Sequence, residues 1–278
     1  MYIISVEFGA KKLSAALFTK EYNKTACAEA EYSCTCKDAA IADAVKLVKS
    51  LIENNKLSAS DVEFIGAAVP ECYGCPCCIA SEIEKQTGIK TVAESTINAR
   101  ALGEAKIADK SSLIMLSIDD KVESGIVIDN KVYAGFSHLG GKVAHMVIDV
   151  GGYECECGRK GCFEAYVANA GVKQIASDAG VKAETLAQLF AMNDQAAESA
   201  KTTYIEHLAN GVTDIINLFQ PHELVLDGPF TKVGDPIMKP MMEIVLRDQY
   251  TRHSPNKCNV RFANTEADTV LLGAALIK

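Results

Sequence analysis

Apolar residues recur at every second position over Tyr2–Phe8 and over residues 13–18, so the spacing predicts two strands paired around the turn GAKK. Residues 39–53 change to helical spacing, and Val62–Val69 returns to a strand closed by Pro70, which has no N–H to add to a ladder. Helices are expected over 79–87 and 97–107, flanking a short strand at 90–93, so the first hundred residues read as mixed α/β. A second set of strands is expected over 112–118, Val122–Ile128 and 131–133. The period of 3.6 then holds over 196–219, where Ile205, Leu208, Ala209, Val212, Ile215, Ile216 and Phe219 form one stripe that Pro221 ends. The strand Glu223–Asp227, its Gly228 turn and a last apolar helix over 269–277 complete the pattern.

The chain has 278 residues, more than the roughly 250 at which single cores stop growing, so two domains are expected. Twenty-eight Lys and Arg against 36 Asp and Glu leave a formal charge of −8, with no concentrated basic run to track a phosphate backbone. Nucleic acid is therefore not an expected partner. The N-terminus passes directly into alternating residues, without a charged leader, a cleavable apolar segment or a spanning stretch, so a soluble cytoplasmic protein without membrane partners is expected. Eleven cysteines fit that compartment as thiols or metal ligands, because 49% hydrophobic residues make a core that needs no disulfide framework.

Candidate chemistry concentrates in one loop. Nine residues separate His145 from Cys155, one separates Cys155 from Cys157, and four separate Cys157 from Cys162. One imidazole and three thiolates are the set that suits tetrahedral zinc, and interspersed glycines let the backbone turn around one ion. With four protein ligands no position remains for water or substrate, so the zinc is expected to be structural.

GGKVAHMVIDVGGYECECGRKGCFEA resembles the GHx₉CxCGxxGCxE signature of the ROK family of sugar kinases and sugar-responsive repressors, with the cysteine and histidine spacing intact. SVEFGAKKLSAAL is similar to that family's opening phosphate loop, AESTINARALGE to its ENDANAAALGE segment, QPHELVLDGP to its adenosine strand and turn, and ADTVLLGAAL to its closing helix. The resemblance implies a two-lobed actin-like (RNase H-like) ATPase fold of α/β class, with ATP and sugar meeting in the cleft. The lobes are expected at 1–110 plus 268–278 and at 111–267, the larger carrying the zinc loop. Repressor members carry a helix-turn-helix domain before the first strand; here that strand begins at Tyr2, so DNA binding through such a module is not expected. A homodimer is expected, as for many relatives.

The sequence departs from the family where phosphoryl transfer occurs. The resemblance implies an Asp beside an Asn as the base that takes the sugar hydroxyl proton; Ser95 and Thr96 stand there. A threonine hydroxyl does not hold a proton at neutral pH as a carboxylate does, so a general-base contribution of about 10²–10⁴-fold is lost. Glu94 can substitute only if the helix start is rotated. The second phosphate loop aligns with Asp119 and Asp120, and at about 5 Å with an effective dielectric near 20 each carboxylate repels a phosphate charge by roughly 3 kcal/mol unless a magnesium ion intervenes. A solvated hairpin turn is favoured over a magnesium site there. Glu7, Gly9 and Lys12 remain of the first loop, while Ala10 and Lys11 replace its second Gly and Thr; of the adenosine Gly pair only Gly228 is kept.

On the sugar side the resemblance implies contacts from His145 and Glu164, although Glu164 also reads as a surface carboxylate at a helix start. Lys142 replaces the family's Glu and suggests a ligand more anionic than glucose. A second cysteine group, AAVPECYGCPCCIA, falls where the family has a loop bordering the sugar pocket. Cys72, Cys75, Cys77 and Cys78 can surround a metal ion or an iron–sulfur cluster, but adjacent Cys77 and Cys78 do not easily face one small ion. Free or redox-active thiols are favoured there, and likewise at Cys34 and Cys36. The expectation is a sugar- or small-ligand-binding relative without catalysis; the alternative is an ATP-dependent hexose kinase using MgATP.

Overall fold

The computed structural model describes residues 1–31, 36–264 and 268–277. Its contacts divide the chain into two compact units, Met1–Ser111 with Asn130–Val132 and Asn264–Lys278, and Ser112–Asp129 with Tyr133–Ala263.

The first unit begins with strands β1 (Tyr2–Phe8), β2 (Lys12–Phe18) and β3 (Lys24–Glu31), followed by β4 (Val62–Val69) and β5 (Thr91–Ser95). The sheet order is β3-β2-β1-β4-β5, antiparallel among the first three and parallel from β1 through β5. β3 was not expected from the pattern: KTACAEAE alternates, but its inner positions are Ala26, Ala28 and Ala30 rather than the β-branched residues that mark strands. Helix α1 (Lys37–Asn54) buries Ile41, Ala44, Val45, Val48 and Leu51 on one stripe, in a cluster with Val6, Phe8, Leu13 and Leu17 of the sheet. Helices α2 (Pro76–Thr87) and α3 (Thr96–Ala108) follow β4 and β5. Cys34 lies outside the described residues, while Cys36 is an exposed free thiol before α1.

The second unit contains β6 (Leu113–Ile118), β7 (Val122–Ile128), β8 (Lys131–Val132), β9 (Glu223–Asp227) and β10 (Asn259–Phe262), in the sheet order β10-β9-β6-β7-β8. Its helices are α4 (Glu164–Val167), α5 (Asn169–Asp178), α6 (Leu186–Ala191), α7 (Gln195–Phe219), α8 (Phe230–Val233) and α9 (Asp235–Asp248). Asp194 caps α7 by accepting a hydrogen bond from the Ala197 amide at 2.9 Å. The α7 stripe buries Tyr204, Leu208, Val212 and Ile215 with Ile114 and Leu116 of β6 and Val172 and Ile175 of α5. Each such side chain, fully buried, contributes about 1.5–3 kcal/mol. Pro240 inside α9 interrupts the pattern from which that helix would be read. The last helix, α10 (Thr269–Ala274), returns to the first unit. Among the described residues no helix is long and apolar enough to cross a membrane.

Candidate functional site

The loop after β8 folds on itself before α4. His145 ends a short 3₁₀ turn, Val143–His145, and the chain returns through isolated antiparallel bridges Val147↔Cys162 and Glu154↔Lys160. Gly161 makes the return possible: its φ is +77°, and a Cβ there would lie 1.7 Å from the Asp149 carbonyl oxygen. The Ile148 amide donates to the Gly161 carbonyl and the Gly161 amide to the Tyr153 carbonyl, both at 2.8 Å, and the Cys155 amide donates to the Arg159 carbonyl at 2.9 Å.

This backbone brings all four expected ligands together. One donor atom from each of His145, Cys155, Cys157 and Cys162 lies within 4.8 Å of the others, and the group can hold a metal ion. Cys155 Sγ is 3.7 Å from His145 Nδ1, and Cys157 Sγ is 3.6 Å from Cys162 Sγ. Cys155 and Cys162 are 9% and 0% exposed, so their sulfurs are shielded from bulk water. Burial pushes the Cys155 thiol up and the Cys162 thiol up to about 12, whereas a backbone hydrogen bond from Arg159 draws the Cys157 thiol down.

An aromatic clamp, not anticipated from the sequence, holds the loop against α7. The Tyr166 hydroxyl donates to Asp149 Oδ2 at 2.6 Å and accepts from the Tyr153 amide at 3.1 Å. Its ring stacks on Tyr153 at 4.5 Å and lies 3.9 Å from the His207 imidazole of α7. Tyr153 in turn donates to Asp178 of α5 at 2.5 Å. Glu164 is tied down as well: Oε2 accepts from the Val122 amide at 2.8 Å, while Oε1 is 3.9 Å from Cys155 Sγ. It therefore joins the metal loop to the start of β7 rather than standing as an isolated surface acid. Lys142 is exposed immediately before the turn that carries His145.

In the first unit the strand register aligns Glu7 with Ala68 and Ala68 with Glu94, at the carboxyl ends of parallel β1, β4 and β5. That is the edge at which open α/β sheets bind ligands. Ser95 caps α3 by accepting from the Asn98 amide at 3.3 Å. Thr96 follows, its hydroxyl oxygen buried without a hydrogen-bond partner among the described residues. Glu94 accepts from the Asn98 side chain at 3.0 Å. Glu7 is raised above the usual carboxylate range, first by burial and then by Asp268, with Lys12 and Arg100 opposing. Lys12 itself pairs with Glu29 of β3 at 2.6 Å, and the Gly9 amide closes the hairpin by donating to the Lys12 carbonyl at 3.1 Å.

In the second unit the same kind of edge carries the other expected nucleotide residues. Ser117 of β6 aligns with Asp227 of β9, so Asp119 and Asp120 follow one strand and Gly228 follows its parallel neighbour. Gly228 has φ +136°, and a Cβ there would meet the Ile118 carbonyl oxygen at 2.0 Å. Asp119 and Asp120 are exposed and form a hairpin turn in which the Asp119 amide donates to the Lys121 carbonyl at 3.0 Å. Asn169 Nδ2 grips both carboxylates, at 2.8 and 2.9 Å, across 50 and 49 residues of sequence. No local signal in the sequence pairs Asn169 with this turn.

The second cysteine group differs from expectation in one respect. Cys75, Cys77 and Cys78 place their sulfurs within 4.8 Å of one another, so the adjacent pair does converge. Cys75 and Cys77 form a disulfide, and Cys72 and Cys78 are exposed free thiols.

Two α/β units, each with parallel strands, and a loop whose four Cys and His donors can hold a metal ion fit the actin-like ATPase fold. Comparison gives the family: the sequence model of the ROK family matches residues 75–278, and the chain belongs to that family. A xylose repressor of Bacillus subtilis is 29% identical over 153 residues, covering 53% of this chain and 40% of that protein. A glucokinase of Halalkalibacterium halodurans is 25% identical over 187 residues, covering 59% of this chain and 56% of the relative. The chain thus spans about half the length of these curated relatives. In structure, the ROK hexokinase from Thermus thermophilus superimposes with a TM-score of 0.84 at 21% identity, over 99% of this chain and 97% of that one.

Proposed function

We propose that this chain is a sugar-binding ROK protein without phosphoryl transfer, its metal loop organised by a structural zinc ion. One observation carries the loss of catalysis: Thr96 stands where the family resemblance requires a base carboxylate, with its hydroxyl buried and unpartnered among the described residues. Glu94, the adjacent carboxylate, is engaged by Asn98. The acidic turn at Asp119 and Asp120, held by Asn169, adds repulsion where phosphates would approach.

The donor set supports zinc. Zinc–sulfur bonds of about 2.3 Å in a tetrahedron put sulfurs about 3.8 Å apart, close to the 3.6 Å between Cys157 and Cys162. His145 would ligate through Nδ1, the nitrogen nearest Cys155, leaving its other edge for a ligand hydroxyl. Zinc bound there supplies structure: it neutralises the thiolates and fixes the loop between His145 and Glu164. Ser95 and Thr96 are proposed as ligand contacts of the first unit, and Lys142, His145 and Glu164 as ligand contacts of the second, with Lys142 favouring an acidic sugar or sugar phosphate.

The test is thermal shift with a panel of neutral, acidic and phosphorylated sugars, with and without MgATP, alongside an ADP-release assay. The expected result is stabilisation by a sugar and no sugar-dependent ADP release. A ligand at a hundredfold its dissociation constant adds about 2.7 kcal/mol, well within reach of the measurement. Stabilisation by MgATP together with sugar-dependent ADP release would overturn the proposal in favour of an ATP-dependent hexose kinase.

A further inference from the structure

We propose a second, redox-gated thiolate site at the start of α2, in which Cys75, Cys77 and Cys78 hold a thiophilic d¹⁰ cation such as Cu(I) or Cd(II). It lies in the first unit and shares no ligand with the metal loop.

The convergence comes from the backbone. Cys75 is the extended residue before the helix, at φ −66° and ψ 117°, and Pro76 is the first helical residue. Pro at that position starts a helix without losing a needed N–H, so the chain passes from extended backbone at Cys75 directly into the first helical turn at Cys77. Cys77 and Cys78 then follow in the first turn, and all three sulfurs lie within 4.8 Å of one another. All three side chains are exposed, so a cation reaches them without opening the core. No acidic residue occupies the first turn of this 12-residue helix. Cys78 also lines a cavity of about 380 Å³ with Lys37, Asp38, Ile41, Glu82 and Gln86, whose two carboxylates favour cations over anions.

The Cys75–Cys77 disulfide is the closed state of the same site. In the reduced state three thiolates are available, the donor set that soft cations prefer. A low-molecular-weight disulfide RSSR closes it in two exchanges. The Cys75 thiolate attacks one sulfur of RSSR, forming a mixed disulfide and releasing RS⁻. The Cys77 thiolate then attacks the Cys75 sulfur, forming the Cys75–Cys77 bond and releasing the second RS⁻. Two electrons pass from the cysteine pair to the small disulfide, and the cation leaves because two of its three donors are gone. Exposure makes the disulfide open to the reverse exchange by small thiols.

Cadmium tests the proposal on the full chain, counted by native mass spectrometry and by thiolate-to-metal charge-transfer absorption. Fully reduced wild type should bind two ions per chain, and protein oxidised with a small disulfide should bind one. The Cys75→Ser/Cys77→Ser double variant should bind one even when reduced, Cys157→Ala should keep the ion at α2, and Cys72→Ser should bind two. Because these cysteines are exposed, circular dichroism of the variants should match wild type. A reduced-state stoichiometry unchanged by the double substitution would overturn the site, as would a second ion that survives oxidation. A single ion lost in Cys157→Ala alone would also overturn it. A single ion lost only in the double variant would sustain it and remove the metal-loop reading instead.

Discussion

Thr96 and Glu7 show how one side chain reports on the ligand edge of the first unit. The Thr96 hydroxyl is buried without a partner among the described residues, which costs stability unless a ligand supplies the missing bond. Thr96→Val should therefore stabilise the free protein by about 1 kcal/mol in denaturant unfolding while reducing the thermal shift produced by the best sugar. An unchanged sugar shift would remove Thr96 from the proposed contacts. Burial, above all, raises the Glu7 carboxyl above its ordinary value in the folded chain, so the folded state binds its proton more tightly than the unfolded state. The stability linked to that proton is complete below the unfolded pKa and is lost as pH rises through the folded pKa. Glu7→Gln should match wild type near pH 4 and gain on it as pH rises toward neutrality. Equal melting temperatures at pH 7 would show that Asp268 and burial are offset by Lys12 and Arg100.

At the scale of elements, the loop of the four candidate metal ligands is held by groups outside them. Tyr166 joins Asp149, the Tyr153 amide and the His207 ring, so it sets the path of the segment leading to Cys155. Tyr166→Phe keeps the stacking but removes both hydrogen bonds; metal affinity, measured by competition with a chromophoric chelator, should fall about tenfold or more. Equal affinity would mean that the ligands orient themselves without the clamp. Strongly apolar elements were legible: Val62–Val69, Val122–Ile128 and Glu223–Asp227 form the strands expected of them, and the apolar stripe from Ile205 to Phe219 lies on α7. β3 was not legible, because its inner positions are too small to mark a buried face. α9 was hidden by Pro240 inside it.

Across the molecule, the two units each have their own buried cluster, so loss of the metal should unfold one loop without melting the chain. Chelation should accelerate hydrogen exchange at the amides of Ile148, Cys155, Gly161 and Phe163, while amides paired between β1 and β4 keep their protection. Global loss of protection would mean that the ion holds more than its loop. The spacing of the four candidate ligands, the strongly patterned strands and helices and the family likeness were determined by the sequence itself, because covalent spacing and hydrophobic period are local properties of a chain. Only the tertiary structure decided that Asn169 grips Asp119 and Asp120, that Glu164 serves the Val122 amide, and that adjacent Cys77 and Cys78 converge with Cys75. Those contacts depend on distances through space and on the direction in which a backbone turns, which packing sets and residue order alone does not display.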